Sequence, residues 1–186
     1  MLAAACGDIG GLGLATGRPR GELAVLLLQN SAPPPAGITF FVSNAQVTTR
    51  NINHPDAFNT PFLRLTFPQG SLATFAGRAA VSTDSVQVSV NPISGMYAFD
   101  LSASGTTFSA GSAPTITFFY GSYGDFTASR AGSRYTSSTE YAQALTIWRE
   151  EILDRLNPVV GSGASGVDAV GGSVQKPGTY YVAAPK

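Results

Sequence analysis

Cysteine and histidine are almost missing from this 186-residue sequence; each occurs once, as Cys6 and His54. One cysteine cannot close an internal disulfide, and the pair cannot supply a four-ligand Cys/His zinc set. Charge is equally scarce: 12% of residues are charged, and Lys+Arg 11 against Asp+Glu 11 cancel. A neutral chain has no basic field to displace counterions from nucleic acid, so no nucleic-acid partner is expected. It also lacks a polybasic hold on an anionic bilayer surface. No window approaches the ~18 consecutive apolar residues of a membrane-crossing helix. The longest strongly apolar run, "LAVLLL" at 23–28, has the length of a strand.

Signatures of catalysis are missing too. There is no Gly-x-Ser-x-Gly elbow, no His-Glu-x-x-His and no phosphate loop. Gly11 to Gly17 imitates a dinucleotide loop, but its last spacing is one residue too long and no βαβ pattern follows. Glu150, Glu151 and Asp154 form the densest acidic cluster and read as a solvated face. His54-Pro55-Asp56 reads as an Asx-type turn among turn-forming asparagines. Asp125 follows Gly124 outside any Asp-x-Asp-x-Asp-Gly calcium loop. We therefore expect no catalytic residues, no metal site and no cofactor.

What is present is apolar and turn-rich: 44% hydrophobic residues, 10% aromatics, Gly 21 and Pro 12. From Glu22 to Tyr120 the apolar positions alternate. Ile38, Phe40 and Val42 share one side; so do Leu63, Leu65 and Phe67, then Val86, Val88 and Val90. Tyr97, Phe99 and Leu101 repeat the pattern, and Ile116, Phe118 and Tyr120 close it. Period-two strands without intervening helices predict an all-β antiparallel sandwich, Ig-like in architecture. "AVLLLQNS" reads as one strand buried on both faces. Phe108 stands as an isolated apolar plug after the Ser104-Gly105 turn.

The expected organisation is a leader and Gly-rich tether at 1–20, a sandwich at 21–125 and a linker at 126–139. A C-terminal β unit at 140–186 then packs on the sandwich. Two patterns compete within that unit. Tyr141, Leu145, Trp148, Ile152 and Leu156 lie on one helical face, which predicts a helix over 139–156. Leu145, Ile147 and Arg149 also alternate, which predicts a hairpin with its turn near Glu150-Glu151. The hairpin is preferred.

Between Leu63 and Gly121 the sequence resembles the ZU5-like sandwich of bacterial extracytoplasmic proteins. Leu65, Phe67, Pro68, Gly70 and Leu72 match its Leu-x-Ile-Pro-x-Gly-Ala-Leu signature, with Ser71 in place of alanine. Gly105 and Phe108 match its turn. Pro114, Ile116, Phe118 and Tyr120 match its closing strand, with Phe119 where proline is common. The resemblance implies a scaffold for contacts and a C-terminal hairpin, with no catalytic residues to carry over.

Ala4-Ala5-Cys6-Gly7 resembles a bacterial lipoprotein box, although Ala3 replaces the usual Leu or Val and no basic residue precedes it. Cys6 is the expected lipid-attachment residue; an uncleaved leader packed on a partner and a frayed terminus remain alternatives. The expected function is a non-enzymatic, extracytoplasmic, periplasmic or cell-surface interaction module. It would be an accessory subunit held on a membrane-associated protein assembly through the lipid or the leader. Tyr120, Tyr123 and Trp148 are the candidate interaction anchors. The alternative is a glycan- or small-ligand-binding module whose rings come from "FFYGSYGDF".

Overall fold

A computed structural model describes residues 17–186. Its strands are β1 (Arg18–Pro19), β2 (Leu23–Val25), β3 (Leu27–Leu28), β4 (Ile38–Ser43), β5 (Thr48–Asn53) and β6 (Pro61–Phe67). Next come β7 (Leu72–Phe75), β8 (Arg78–Ala79), β9 (Ser85–Pro92), β10 (Ala98–Ser102), β11 (Thr106–Phe108), β12 (Thr115–Phe119) and β13 (Gly124–Asp125). Two short helices follow, α1 (Phe126–Ser129) and α2 (Ser138–Gln143). The chain ends with β14 (Thr146–Ile152), β15 (Arg155–Pro158), β16 (Gly163–Ala164), β17 (Ala169–Ser173) and β18 (Gly178–Pro185).

All named strand pairs are antiparallel, because turn residues rather than helices join the alternating segments. After Pro68 ends β6, Gly70 turns the chain at φ +73°; Gly105 does the same before β11 at φ +63°. Both lie in the left-handed region that a side chain disfavours. The large sheet has eight strands in the order β1-β15-β14-β18-β10-β9-β4, with β2 also on β18. The second has the order β16-β17-β12-β6-β5. Aromatic rings meet between these layers: Phe40 and Phe67 at 5.9 Å, Phe99 and Phe118 at 5.5 Å, Phe62 and Tyr97 at 5.3 Å. The alternating positions expected to face inward do so: Leu63, Leu65, Phe67, Val88, Val90, Phe99, Ile116 and Phe118 are fully buried. Phe108 packs edge-on against Phe67 at 5.8 Å. The chain is thus an all-β, sandwich-like fold.

Several expectations change in detail. "AVLLLQNS" is two strands rather than one, since β2 pairs with β18 while β3 turns away to β13. The stretch expected to be a linker carries α1, capped by Asp125 Oδ1, which accepts the N–H of Ala128. The C-terminal residues are woven into the sandwich rather than set on it, because β18 lies between β14 and β10. The long helix over 139–156 does not form. Ser137 Oγ caps α2 by accepting the Glu140 N–H, but the helix stops at Gln143. From Thr146 the chain pairs with Ala183 back to Tyr180, and this tertiary pairing overrides the local helical pattern. The hairpin is present, with its turn at Leu153-Asp154 rather than Glu150-Glu151. Asp154 takes the left-handed φ of +64° that the turn requires.

Candidate functional site

Among the described residues, two places bring together side chains that the functional reading turns on. The first is the loop between β5 and β6. Asp56 Oδ1 accepts the N–H groups of Phe58 (3.1 Å) and Thr60 (2.9 Å), closing the expected Asx turn. Asp56 Oδ2 accepts the Tyr123 hydroxyl at 2.8 Å. The hydroxyl and N–H of Thr60 lead the bonds that hold the Asp56 carboxyl far below its ordinary range. The same carboxylate, followed by burial, pushes the Tyr123 hydroxyl up. His54 is buried beneath this turn, its ring 4.6 Å from Tyr123 and 5.5 Å from Phe62. Its Nδ1 lies 2.7 Å from the Pro33 carbonyl, which can only accept, so the proton sits on Nδ1. The Asp56 carboxylate, the Tyr123 hydroxyl and His54 Nδ1 are all engaged in tying loop to loop, while His54 Nε2 is buried with no hydrogen-bond partner among the described residues. The arrangement latches the Pro33 segment and the residues before α1 to the β5–β6 loop.

The second place is the corner where the chain enters the fold. Pro19 pairs with Arg155, and the Arg20 N–H donates to the Asp154 carbonyl at 3.0 Å. Arg155 Nη1 donates to the Gly17 carbonyl at 3.1 Å. The β14–β15 tip therefore lies directly beside the junction with residues 1–16. At that tip Ile152 is 57% exposed and Leu153 is 90% exposed, an apolar pair rimmed by Glu150, Glu151, Asp154 and Arg155. Glu150 Oε1 accepts the Asp154 N–H at 2.8 Å, and Arg149 is ion-paired with Glu151. These bonds fix the turn so that its two apolar side chains project outward. Behind it, Arg149, Asn157, Gln175, Lys176 and Tyr180 line a cleft of about 120 Å³. The Tyr180 ring is fully buried and stacked on Phe99 at 5.5 Å, so it offers the cleft no open aromatic face.

The expected anchors divide. Tyr120 is 5% exposed and packs edge-on against Phe126. Trp148 is 4% exposed, and its Nε1–H donates to the Ala183 carbonyl at 3.1 Å. Neither ring is presented to a partner, because both fill gaps within the fold. Tyr123 is half-buried and committed to Asp56. The remaining rings of "FFYGSYGDF" are also engaged, Phe118 in the core and Phe119 beneath the Arg64 guanidinium at 5.5 Å. Cys6 lies outside the described residues. No family model, curated protein or solved structure matches this chain. Among the described residues, no group of three or more His, Cys, Asp or Glu could hold a metal ion. Among them too, no helix is long and apolar enough to cross a membrane.

Sequence reasoning passed over Ile152 and Leu153 because the preferred hairpin set its turn near Glu150-Glu151, and the helical alternative placed Ile152 on an inward face. The available signal was the run of charges around two apolar residues, "REEILDR", which a hairpin tip resolves by turning both outward.

Proposed function

We propose that the chain is a non-enzymatic interaction module of the ZU5-like kind, working outside the cytoplasm as an accessory subunit of a membrane-associated protein assembly. The observation that carries this reading is the position of the exposed Ile152-Leu153 tip beside the entry of residues 1–16. A lipid on Cys6, or a retained leader, tethers the fold at the corner where the exposed side chains of Ile152 and Leu153 project together. Tethering supplies effective concentration, so a small apolar contact there suffices to dock the module on a partner already in the membrane. An isolated exposed leucine is ordinary, but a paired apolar tip held by Glu150 and rimmed by charge has the anatomy of a contact site.

The test is recovery of the full chain with detergent-solubilised membranes, wild type against Leu153→Asp. Leu153 makes no core contact, so the variant keeps its fold, which circular dichroism verifies. The expected result is loss of co-purifying membrane protein with Leu153→Asp and an intact mass beginning at an acylated Cys6. Unchanged recovery with Leu153→Asp rules out the tip as the docking site. An unmodified chain that is absent from the membrane fraction overturns the reading altogether.

A further inference from the structure

The two main sheets end on edges that differ in their protection. At one end of the large sheet β1 is only two residues long and includes Pro19, which has no N–H to offer. In the second sheet, β16 is a two-residue strand, and β5 carries Arg50 and a register shift between Ile52 and Asn53. Short strands, proline, charge and bulges are the devices that keep sheet edges from pairing with other chains. The remaining edge, β4, has none of them. It is six residues, "ITFFVS", uncharged, free of proline and in unbroken register with β9 from Ile38↔Val90 to Ser43↔Ser85.

The direction of its free backbone groups follows from that register. Asn44 N–H donates to Asp84 O at 2.8 Å, so the even-numbered positions bond toward β9. The N–H and C=O groups of Thr39, Phe41 and Ser43 then face away from the sheet. Their side chains lie on the outer face, where Phe41 is 63% exposed. Arg50 of the facing sheet approaches this strand, but its guanidinium is held 5.3 Å from the Phe40 ring centre and donates to Thr49 O. The edge itself stays neutral.

We infer that β4 pairs antiparallel with β4 of a second copy of this chain, about a two-fold axis at Phe41, joining two large sheets into one. The strand is symmetric in kind about that residue. Hydroxyl side chains stand two positions away on either side, at Thr39 and Ser43. Buried apolar side chains stand one position away, at Phe40 and Val42. A two-fold contact requires such self-complementarity, whereas a foreign strand does not. In this register Phe41 faces its own counterpart and Thr39 faces Ser43 of the other copy. Phe40 lies opposite Val42, and each outward backbone group finds a partner. The zero formal net charge removes the repulsion that keeps many proteins apart. The inference goes beyond the interaction-module reading, which places its contact at the Ile152-Leu153 tip.

Sedimentation of the full chain over a concentration series tests it. Wild type is expected to approach twice the chain mass as concentration rises. Phe41→Lys and Phe41→Glu, each placing like charges opposite one another at the axis, are expected to sediment as monomers with native circular dichroism. An equimolar mixture of the two variants is expected to restore the doubled mass, because residue 41 meets residue 41. A wild-type monomer at every concentration overturns the inference, as does a dimer that persists in Phe41→Lys or a mixture that stays monomeric. A monomer that still captures membrane protein through the Leu153 tip overturns only this inference and leaves the docking reading standing.

Discussion

The Asp56 carboxylate accepts hydrogen bonds from the Phe58 and Thr60 N–H groups and from the Tyr123 hydroxyl together. Asp84 behaves alike, gripped by both terminal nitrogens of Arg78 at 2.7 and 2.8 Å and by the Val81 N–H. The Arg78 bonds, then the Val81 N–H, draw its carboxyl below the ordinary range. A carboxyl depressed in the native state stabilises the fold wherever the unfolded chain is also ionised, above its ordinary value of 3.8. Below that value the unfolded state binds protons that the native state refuses, and stability falls as pH falls. Urea midpoints should therefore hold steady near neutrality and drop below about pH 4. Asp56→Asn should lower the midpoint at pH 7 and shrink the acid-side drop. An Asp56→Asn curve that runs parallel to wild type at every pH would show that Asp56 is not an acid-labile latch.

At the scale of elements, β12 ties its own sheet to the facing one through Phe118. It sits between β17 and β6, and its Phe118 touches Phe62, Tyr97 and Phe99 at ring separations of 5.9, 6.4 and 5.5 Å. Three of these rings belong to different strands or turns of both sheets, so truncation leaves a void that no single neighbour can fill. Phe118→Ala is expected to cost about 3–5 kcal/mol in chemical denaturation, the usual range for a buried phenylalanine. A loss below about 1 kcal/mol would mean that the sheets close over the gap. The same β12 alternation supplied part of the ZU5-like resemblance. The inward set Ile116, Phe118 and Tyr120 is a packing demand that any sandwich makes, and it does not by itself mark a family.

For the whole molecule, the connectivity decides which pieces can stand alone. β18, at the end of the chain, is an interior strand of the large sheet and bonds to β10, β14 and β2. Val182 N–H also donates to Tyr97 O, Tyr141 hydroxyl donates to Ala24 O at 2.9 Å, and Lys186 N–H donates to Glu22 O at 2.9 Å, tying the C-terminal third to the segment around β2 and to the middle of the chain. A chain truncated after residue 139 would expose both edges of a central gap and the apolar faces of β10 and β2. It is expected to show no cooperative unfolding transition and to bind hydrophobic dye. A cooperative transition in that fragment would show that the C-terminal strands are an accessory layer.

The all-β class and most of the inward faces can be read from the sequence, because period-two alternation reports directly on which side of a strand is buried. Leu63, Leu65, Phe67, Val88, Phe99 and Phe118 were legible for that reason. The sequence also determined the turns at Gly70 and Gly105, where a local backbone conformation demands a particular residue. Tertiary structure alone decided everything that depends on who pairs with whom. Local spacing could not tell that β18 would insert between β14 and β10, stopping a helix at Gln143 and exposing Ile152 and Leu153. Nor could it tell that Tyr120 and Trp148 would be spent on packing, while Phe41 would lie on an edge that pairs with no second strand among the described residues. Alternation is a property of neighbours along the chain. Edge and interior are properties of the assembled sheet, fixed only when distant strands have found one another.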